Sequence, residues 1–295
     1  MPNRQEYQQE VHAFLQKRLS PHDWKFSLPH GWGKESYFAE GGGNKYFVKV
    51  GVQAERYLAM AEICLTPPVI VHGQLQSGPS VIVQSFIAGR KPSRVEYRER
   101  MTEVAELIRK MHNSPQMQDV LGAAPSPFYK DAGLRALDLL RQKWEGHKTQ
   151  VPIIARFVDD GLERLAEQID QFAGEGLIAS HGDICNANWL FASDGNIYLI
   201  DFDLMRMDDP ALDMGALLWW YYPPGLRGSF LQIAGYRYDD EFKFRMQVRM
   251  AMHCLDILLP REHSFDQFNP ETFGNSLSDF RAVLEGKENP EGYEA

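Results

Sequence analysis

The chain has 295 residues, 44% of them hydrophobic and 24% charged, with a formal net charge of −9, so it can bury a full-sized core like an ordinary globular protein. An acidic balance excludes a general binder of nucleic acid or of anionic membrane surfaces, since either needs a basic face. Cys64, Cys185 and Cys254 lie far apart without C-x-x-C spacing, which excludes a disulfide framework and a zinc site and points to a reducing, cytoplasmic setting.

The opening decapeptide MPNRQEYQQE is polar, which speaks against a signal peptide. Tyr7, Val11, Phe14, Leu15 and Leu19 then recur at helical spacing, predicting a helix over 3–19 that Ser20-Pro21 stops. Runs 24–28, 36–39 and 46–50 read as strands with glycine-bearing connections. A helix over 53–64 ends at Pro67-Pro68, and 69–71 and 80–85 read as two further strands. Together they predict a five-stranded antiparallel sheet with a helix. Ser93 and Glu96 form a capping box, followed by a stripe of Tyr97, Met101, Val104, Ala105, Ile108 and Met111. Residues 113–127 read as a connection, 131–144 and 152–172 as helices. Beyond them come a hairpin over 189–200, a helix over 210–222 broken by Pro223-Pro224-Gly225, a long helix over 238–259, and a polar tail after Lys287. The longest dense apolar run, 216–222, is too short to span a bilayer.

The stretch around the hairpin carries the chemistry. Trp189–Ala192 and Ile197–Ile200 flank the turn residues Ser193-Asp194-Gly195-Asn196, so Asp183 and Asn188 enter the first strand while Asp201 and Asp203 follow the second. Magnesium prefers oxygen ligands such as the Asp201 carboxylate and the Asn188 amide oxygen. Asp183 is placed to orient an incoming hydroxyl and accept its proton. That set of groups suits phosphoryl transfer from a metal-bound nucleotide.

The order His181-Gly182-Asp183, Asn188, Leu199-Ile200-Asp201 and Asp209-Pro210-x-x-Asp213 resembles the aminoglycoside phosphotransferase and choline kinase group, small-molecule kinases with the protein-kinase fold. The resemblance implies an α+β, two-lobed fold: an N-terminal nucleotide-binding lobe over 1–87 and a mainly helical catalytic and substrate-binding lobe over 88–295. It implies ATP and Mg²⁺ as cofactors and a small-molecule hydroxyl as acceptor, in a monomer or homodimer with no nucleic-acid or membrane partner. Lys49, on a β-branched strand, is the implied phosphate-binding lysine, paired with Glu55 or, in reserve, Glu62. Gly33, Lys34 and Ser36 fall in the implied nucleotide-positioning turn, and Gln84 and Phe86 in the implied connector beside the adenine. His112 and His181 read as packing and loop-fixing residues, Asp213 as a buried acid bonding loop amides.

The acceptor class is read from charge and aromatic residues. Trp219, Trp220, Tyr221 and Tyr222 are consecutive, and on a helix they point about 100° apart, so they cannot all face one core. Trp219, Trp220 and Tyr222, with Asp203, are therefore candidates for holding a cationic alcohol resembling an aminoglycoside, choline or an amino alcohol. The rival readings are a protein kinase, against which the absence of an A-P-E motif counts, and a nucleotide-binding pseudokinase acting as an interaction module. Retention of Lys49, Asp183, Asn188 and Asp201 together counts against the second.

Overall fold

The computed structural model describes residues 4–29, 36–259 and 270–287. The chain divides into two compact units, residues 1–91 with 186–204 and residues 92–185 with 205–295. In chain order the first opens with α1 (Arg4–Arg18), whose Val11 and Leu15 are fully buried. Strands β1 (Lys25–Ser27), β2 (Ser36–Gly41) and β3 (Asn44–Val50) precede α2 (Ala54–Glu62), β4 (Val69–Gln74), β5 (Ser80–Ser85) and the short β6 (Gly89–Arg90). The sheet runs β1-β2-β3-β5-β4 with every neighbouring pair antiparallel. Val11 and Leu15 join Trp24, Tyr37, Val48, Val81 and Val83 in its core, so the sequence pattern that predicted the helix and strands is also the pattern that buries them.

The second unit is built on helices. α3 (Arg94–Glu99) begins with the expected capping box, Ser93 accepting from the Glu96 backbone while the Glu96 side chain returns to Ser93. One continuous helix was expected from there, but the backbone leaves helical geometry at Arg100 before α4 (Met101–His112). The expected connection over 113–127 contains α5 (Pro115–Leu121), because Ser114 caps the Met117 amide at 3.2 Å and Pro115 occupies the first helical position. α6 (Tyr129–His147), α7 (Ala155–Ile169) and strand β7 (Ile178–Ser180) follow.

The chain returns to the first unit at 186–204, where β8 (Trp189–Ala192) and β9 (Ile197–Leu199) form the expected hairpin. The sequence had placed this hairpin in the second lobe and the lobe boundary at 87. It counts with the first unit because β6 pairs with β8 and the Leu199 amide donates to the Leu65 carbonyl at 2.8 Å.

Back in the second unit, β10 (Arg206–Asp208) leads to α8 (Ala211–Tyr221), α9 (Pro224–Ala234), α10 (Asp240–Leu258) and α11 (Pro270–Leu284). Pro223-Pro224 starts a helix here as well as ending one, since proline at the first turn loses no hydrogen bond. α8 is buried on all sides from Ala211 to Trp219. Its Gly215 lets α10 approach closely: a Cβ there would lie 2.8 Å from the Met246 carbonyl oxygen. Among the described residues no helix is long and apolar enough to cross a membrane. The polar tail beyond Lys287 lies outside the described residues.

Candidate active site

In the second unit the loop 181–185 is held from below by one carboxylate. β7 and β10 pair antiparallel with Ser180 opposite Arg206, so the chain emerges from the ladder at His181. Gly182 has φ +78°, a left-handed conformation open to glycine, and both its amide and that of His181 turn toward Asp213. Asp213 Oδ2 accepts the His181 amide at 2.8 Å, and Oδ1 accepts the Gly182 amide at 3.0 Å. His112 Nε2 bonds the same Oδ2 at 3.0 Å, while its Nδ1 meets the Tyr236 hydroxyl at 2.7 Å. Burial penalises the Asp213 charge, but the His112 hydrogen bond, the electrostatic attraction of the His112 and His181 rings and the Gly182 amide outweigh it and hold the carboxyl at about 2.

Asp183 is half-buried, and its amide donates to His181 Nδ1 at 3.3 Å, so that ring carries its proton on Nε2. His181 thus fixes the loop, as its position in the motif suggested. Below, Asp209 accepts the Ala211 amide at 2.9 Å and pairs with Arg245, while Asp208 pairs with Arg249. The D-P-x-x-D motif therefore builds the entry to α8 and, through Asp213, the loop bearing Asp183.

In the first unit the hairpin carries Asn188 and Asp201 on its two ends. Asn188 is buried, and its carbonyl accepts the Ile200 amide at 2.9 Å, which brings the residue before Asp201 against it. Asp201 itself has φ +67°. A non-glycine residue held there costs on the order of 1–3 kcal/mol and such strain gathers at functional sites. Its carboxylate, with a side chain 44% exposed, accepts from Lys49 Nζ at 3.0 Å. Lys49 lies across the β2–β3 ladder from Ser36 and donates also to the Tyr57 hydroxyl at 2.8 Å. Arg56, beside Tyr57 on α2, donates to the carbonyls of Phe202 and Asp203, both at 2.8 Å.

The remaining sequence-derived candidates fall into three groups. Glu55 and Glu62 are both exposed, and neither is the partner of Lys49 among the described residues, which correct the expected ion pair to Tyr57 and Asp201. The reason is helical phase: α2 buries Ala54, Tyr57 and Met60, a stripe from which Glu55 is rotated away. That stripe, Ala54-x-x-Tyr57-x-x-Met60, was the available signal for Tyr57.

Gly33 and Lys34 lie outside the described residues. Gln84 is buried and donates to the Thr66 hydroxyl at 3.3 Å and the Pro67 carbonyl at 2.7 Å, so its side chain ties the connector down. Phe86 packs edge-on to Phe38 at 5.6 Å beneath Lys45 Nζ. Asp203 is half-buried with its carbonyl held by Arg56.

Of the aromatic run, Tyr222 is fully buried and donates to the Tyr97 carbonyl at 2.9 Å, a core residue where a substrate contact was expected. Trp219 is 7% exposed and likewise belongs to the interior of α8. Trp220 and Tyr221 are half-buried, the latter stacked on Tyr97 at 4.5 Å.

Oxygen ligands for a hard cation are present at Asn188 and Asp201, the latter charged and half-exposed. Among the described residues no group of three or more His, Cys, Asp or Glu surrounds a metal position. Two protein ligands nonetheless fit Mg²⁺, which is commonly held by one or two side chains together with substrate phosphates.

The chain matches the phosphotransferase enzyme family over residues 27–246. Its fold is shared with a choline/ethanolamine kinase family protein from Mesorhizobium loti, at 17% identity and TM-score 0.67, covering 94% of this chain and 98% of that one. Choline kinase LicA from Streptococcus pneumoniae is similar at 14% identity and TM-score 0.68, with 94% and 99% covered. A thermostable mutant of aminoglycoside phosphotransferase APH(4)-Ia, solved with AMP-PNP and hygromycin B, is similar at 16% identity and TM-score 0.67, with 94% and 98% covered. The fold and family expected from the motifs are thereby borne out.

Proposed function

The chain belongs to the phosphotransferase enzyme family, and from that premise we propose that it moves the γ-phosphoryl group of ATP to a hydroxyl of a small, cationic molecule. One observation carries the reading: the Lys49–Asp201 ion pair at 3.0 Å joins a sheet lysine to a hairpin carboxylate 152 residues later in the chain. Two opposite charges kept together at such separation, on a strained Asp201 backbone, have a ready use in gripping a phosphate and its counter-ion.

In this reading Lys49 binds phosphate oxygens. Asp183 orients the acceptor hydroxyl and takes its proton, on a loop pinned by Asp213 at two successive amides. Asn188 and Asp201 hold Mg²⁺, which when bound neutralises phosphate charge. The backbone of the connector at 84–86 and the turn ending at Ser36 attend the nucleotide. Solved relatives of this fold contain AMP, AMP-PNP or ADP, which supports a nucleotide ligand. The cationic acceptor class is supported by the net charge of −9 and by the half-buried rings of Trp220 and Tyr221. A cation over an aromatic face gains about 0.5–2 kcal/mol.

The test is a panel of hydroxyl compounds, amino sugars and choline-like alcohols beside neutral alcohols of matched size, with ATP and Mg²⁺. ADP release above the water background with the cationic members supports the reading. Nucleotide binding without acceptor-dependent turnover across the panel overturns it in favour of a pseudokinase.

A further inference from the structure

Arg56 and Tyr57 are neighbours on α2, and they reach the Asp201-Phe202-Asp203 turn by separate routes. The Arg56 guanidinium spans two successive carbonyls, those of Phe202 and Asp203, fixing the backbone immediately after Asp201. Tyr57 approaches from the side: its ring stands edge-on to Phe202 with centroids 4.9 Å apart, and its hydroxyl accepts a hydrogen bond from Lys49 Nζ. Lys49 divides its donors between that hydroxyl at 2.8 Å and Asp201 at 3.0 Å, and its Nζ also lies 5.4 Å from the Tyr57 ring centroid. The acidic residues of the same helix, Glu55 and Glu62, face outward.

We propose that Tyr57 is the positioning residue for Lys49 in this chain, a neutral hydroxyl doing what a helix carboxylate was expected to do, with Arg56 locking the turn that carries Asp201. The proposal rests on the phosphate-binding role given to Lys49 above. A carboxylate partner would add a negative charge that offsets the lysine, whereas a phenol accepts one N–H and adds none. An ammonium has three donors, and the third is then available to a phosphate oxygen. Were Asp201 to hold a metal ion, Lys49 would still keep the Tyr57 hydroxyl as a partner. Tyr57 suits the task because it is 1% exposed and pinned between the sheet and Phe202, so little side-chain freedom is lost in holding the lysine. Burial, followed by the charges of Asp203 and Asp201, raises the Tyr57 hydroxyl well above its usual range, so it stays neutral.

The experiment is calorimetric titration of the full chain with Mg²⁺ and AMP-PNP, which needs no acceptor, followed by steady-state kinetics on an active acceptor. Tyr57→Phe keeps the ring and removes the hydroxyl. A hydrogen bond to a charged group is at stake, so AMP-PNP affinity should fall about ten-fold and KM for ATP should rise in step, with kcat changed less. Glu55→Gln and Glu62→Gln should stay within about two-fold of wild type, well below a bond of that size. Melting temperature measured alongside separates a folding defect from lost positioning. Arg56→Gln provides a second variant, predicted to weaken Mg²⁺-dependent binding more than metal-free binding. Unchanged affinity in Tyr57→Phe, or a loss in either glutamate variant, overturns the proposal. Wild type that binds AMP-PNP yet phosphorylates no acceptor overturns only the acceptor reading, and the Tyr57→Phe titration still decides this one. Wild type that binds no nucleotide at all overturns both.

Discussion

Replacing Asp213 by asparagine preserves shape while removing the charge that holds the loop of Asp183. The carboxyl sits at about 2 against an ordinary 3.8, so its charge contributes on the order of 2 kcal/mol of stability. Asparagine in either orientation turns an N–H₂ toward groups that now donate to oxygen, the His181 and Gly182 amides among them. A buried donor without an acceptor costs about 1–3 kcal/mol, so the total should reach about 3–5 kcal/mol. For a chain of this size that corresponds to a melting temperature lower by roughly 5–12 °C. The folded pKa lies below the unfolded one, so the contribution is complete above the unfolded value of 3.8 and is lost as pH falls toward about 2. The difference in melting temperature between wild type and Asp213→Asn, followed by circular dichroism, should therefore be full at neutral pH and shrink below about pH 4. A gap under about 1 °C at neutral pH, or one that does not narrow in acid, would refute the assignment of the charge to this network.

Other predictions follow from close packing and from the hairpin. Gly215→Ala should destabilise by about 1–3 kcal/mol, because its methyl would press on the Met246 carbonyl oxygen at 2.8 Å; thermal melts measure this. Tyr222→Phe should lose about 1 kcal/mol with the Tyr97 hydrogen bond and leave the acceptor KM unchanged, whereas Trp220→Leu should raise that KM. Asp201→Asn should weaken nucleotide binding in the presence of Mg²⁺ more than in its absence, since it removes the charge shared with Lys49; titration with and without the metal checks it.

The legible part of the molecule is the part written in local pattern. The capping box of Ser93 and Glu96 and the hairpin follow from spacing and residue type, and the places of Lys49 and the buried Asp213 from the motif resemblance. What sequence could not supply is phase and coverage. The residue of α2 that meets Lys49 depends on where the helix starts, and a shift of one residue turns its face by about 100°; Tyr57, on the buried stripe, displaced Glu55. The aromatic run was read as half-exposed because nothing local announces that α10 closes over α8, burying Trp219 while Tyr222 packs on Tyr97 and Phe230. The stretch around Pro115 read as plain connection, and Pro223-Pro224 read only as a break, yet both also open helices. The left-handed backbone of Asp201 was not foreseen, since aspartate reaches that conformation more readily than most residues but adopts it at few of its positions.

The central claim is that Asp183 handles the acceptor's proton in phosphoryl transfer from ATP. The most direct measurement follows γ-labelled phosphate from ATP onto an acceptor from the panel, in wild type and in Asp183→Ala, with AMP-PNP affinity measured on both. The predicted result is label on the acceptor hydroxyl, transferred roughly 10²–10⁴-fold more slowly by the variant, with nucleotide affinity nearly unchanged. Transfer by Asp183→Ala within a factor of about three of wild type would contradict the account, because a positioned base is worth far more than that.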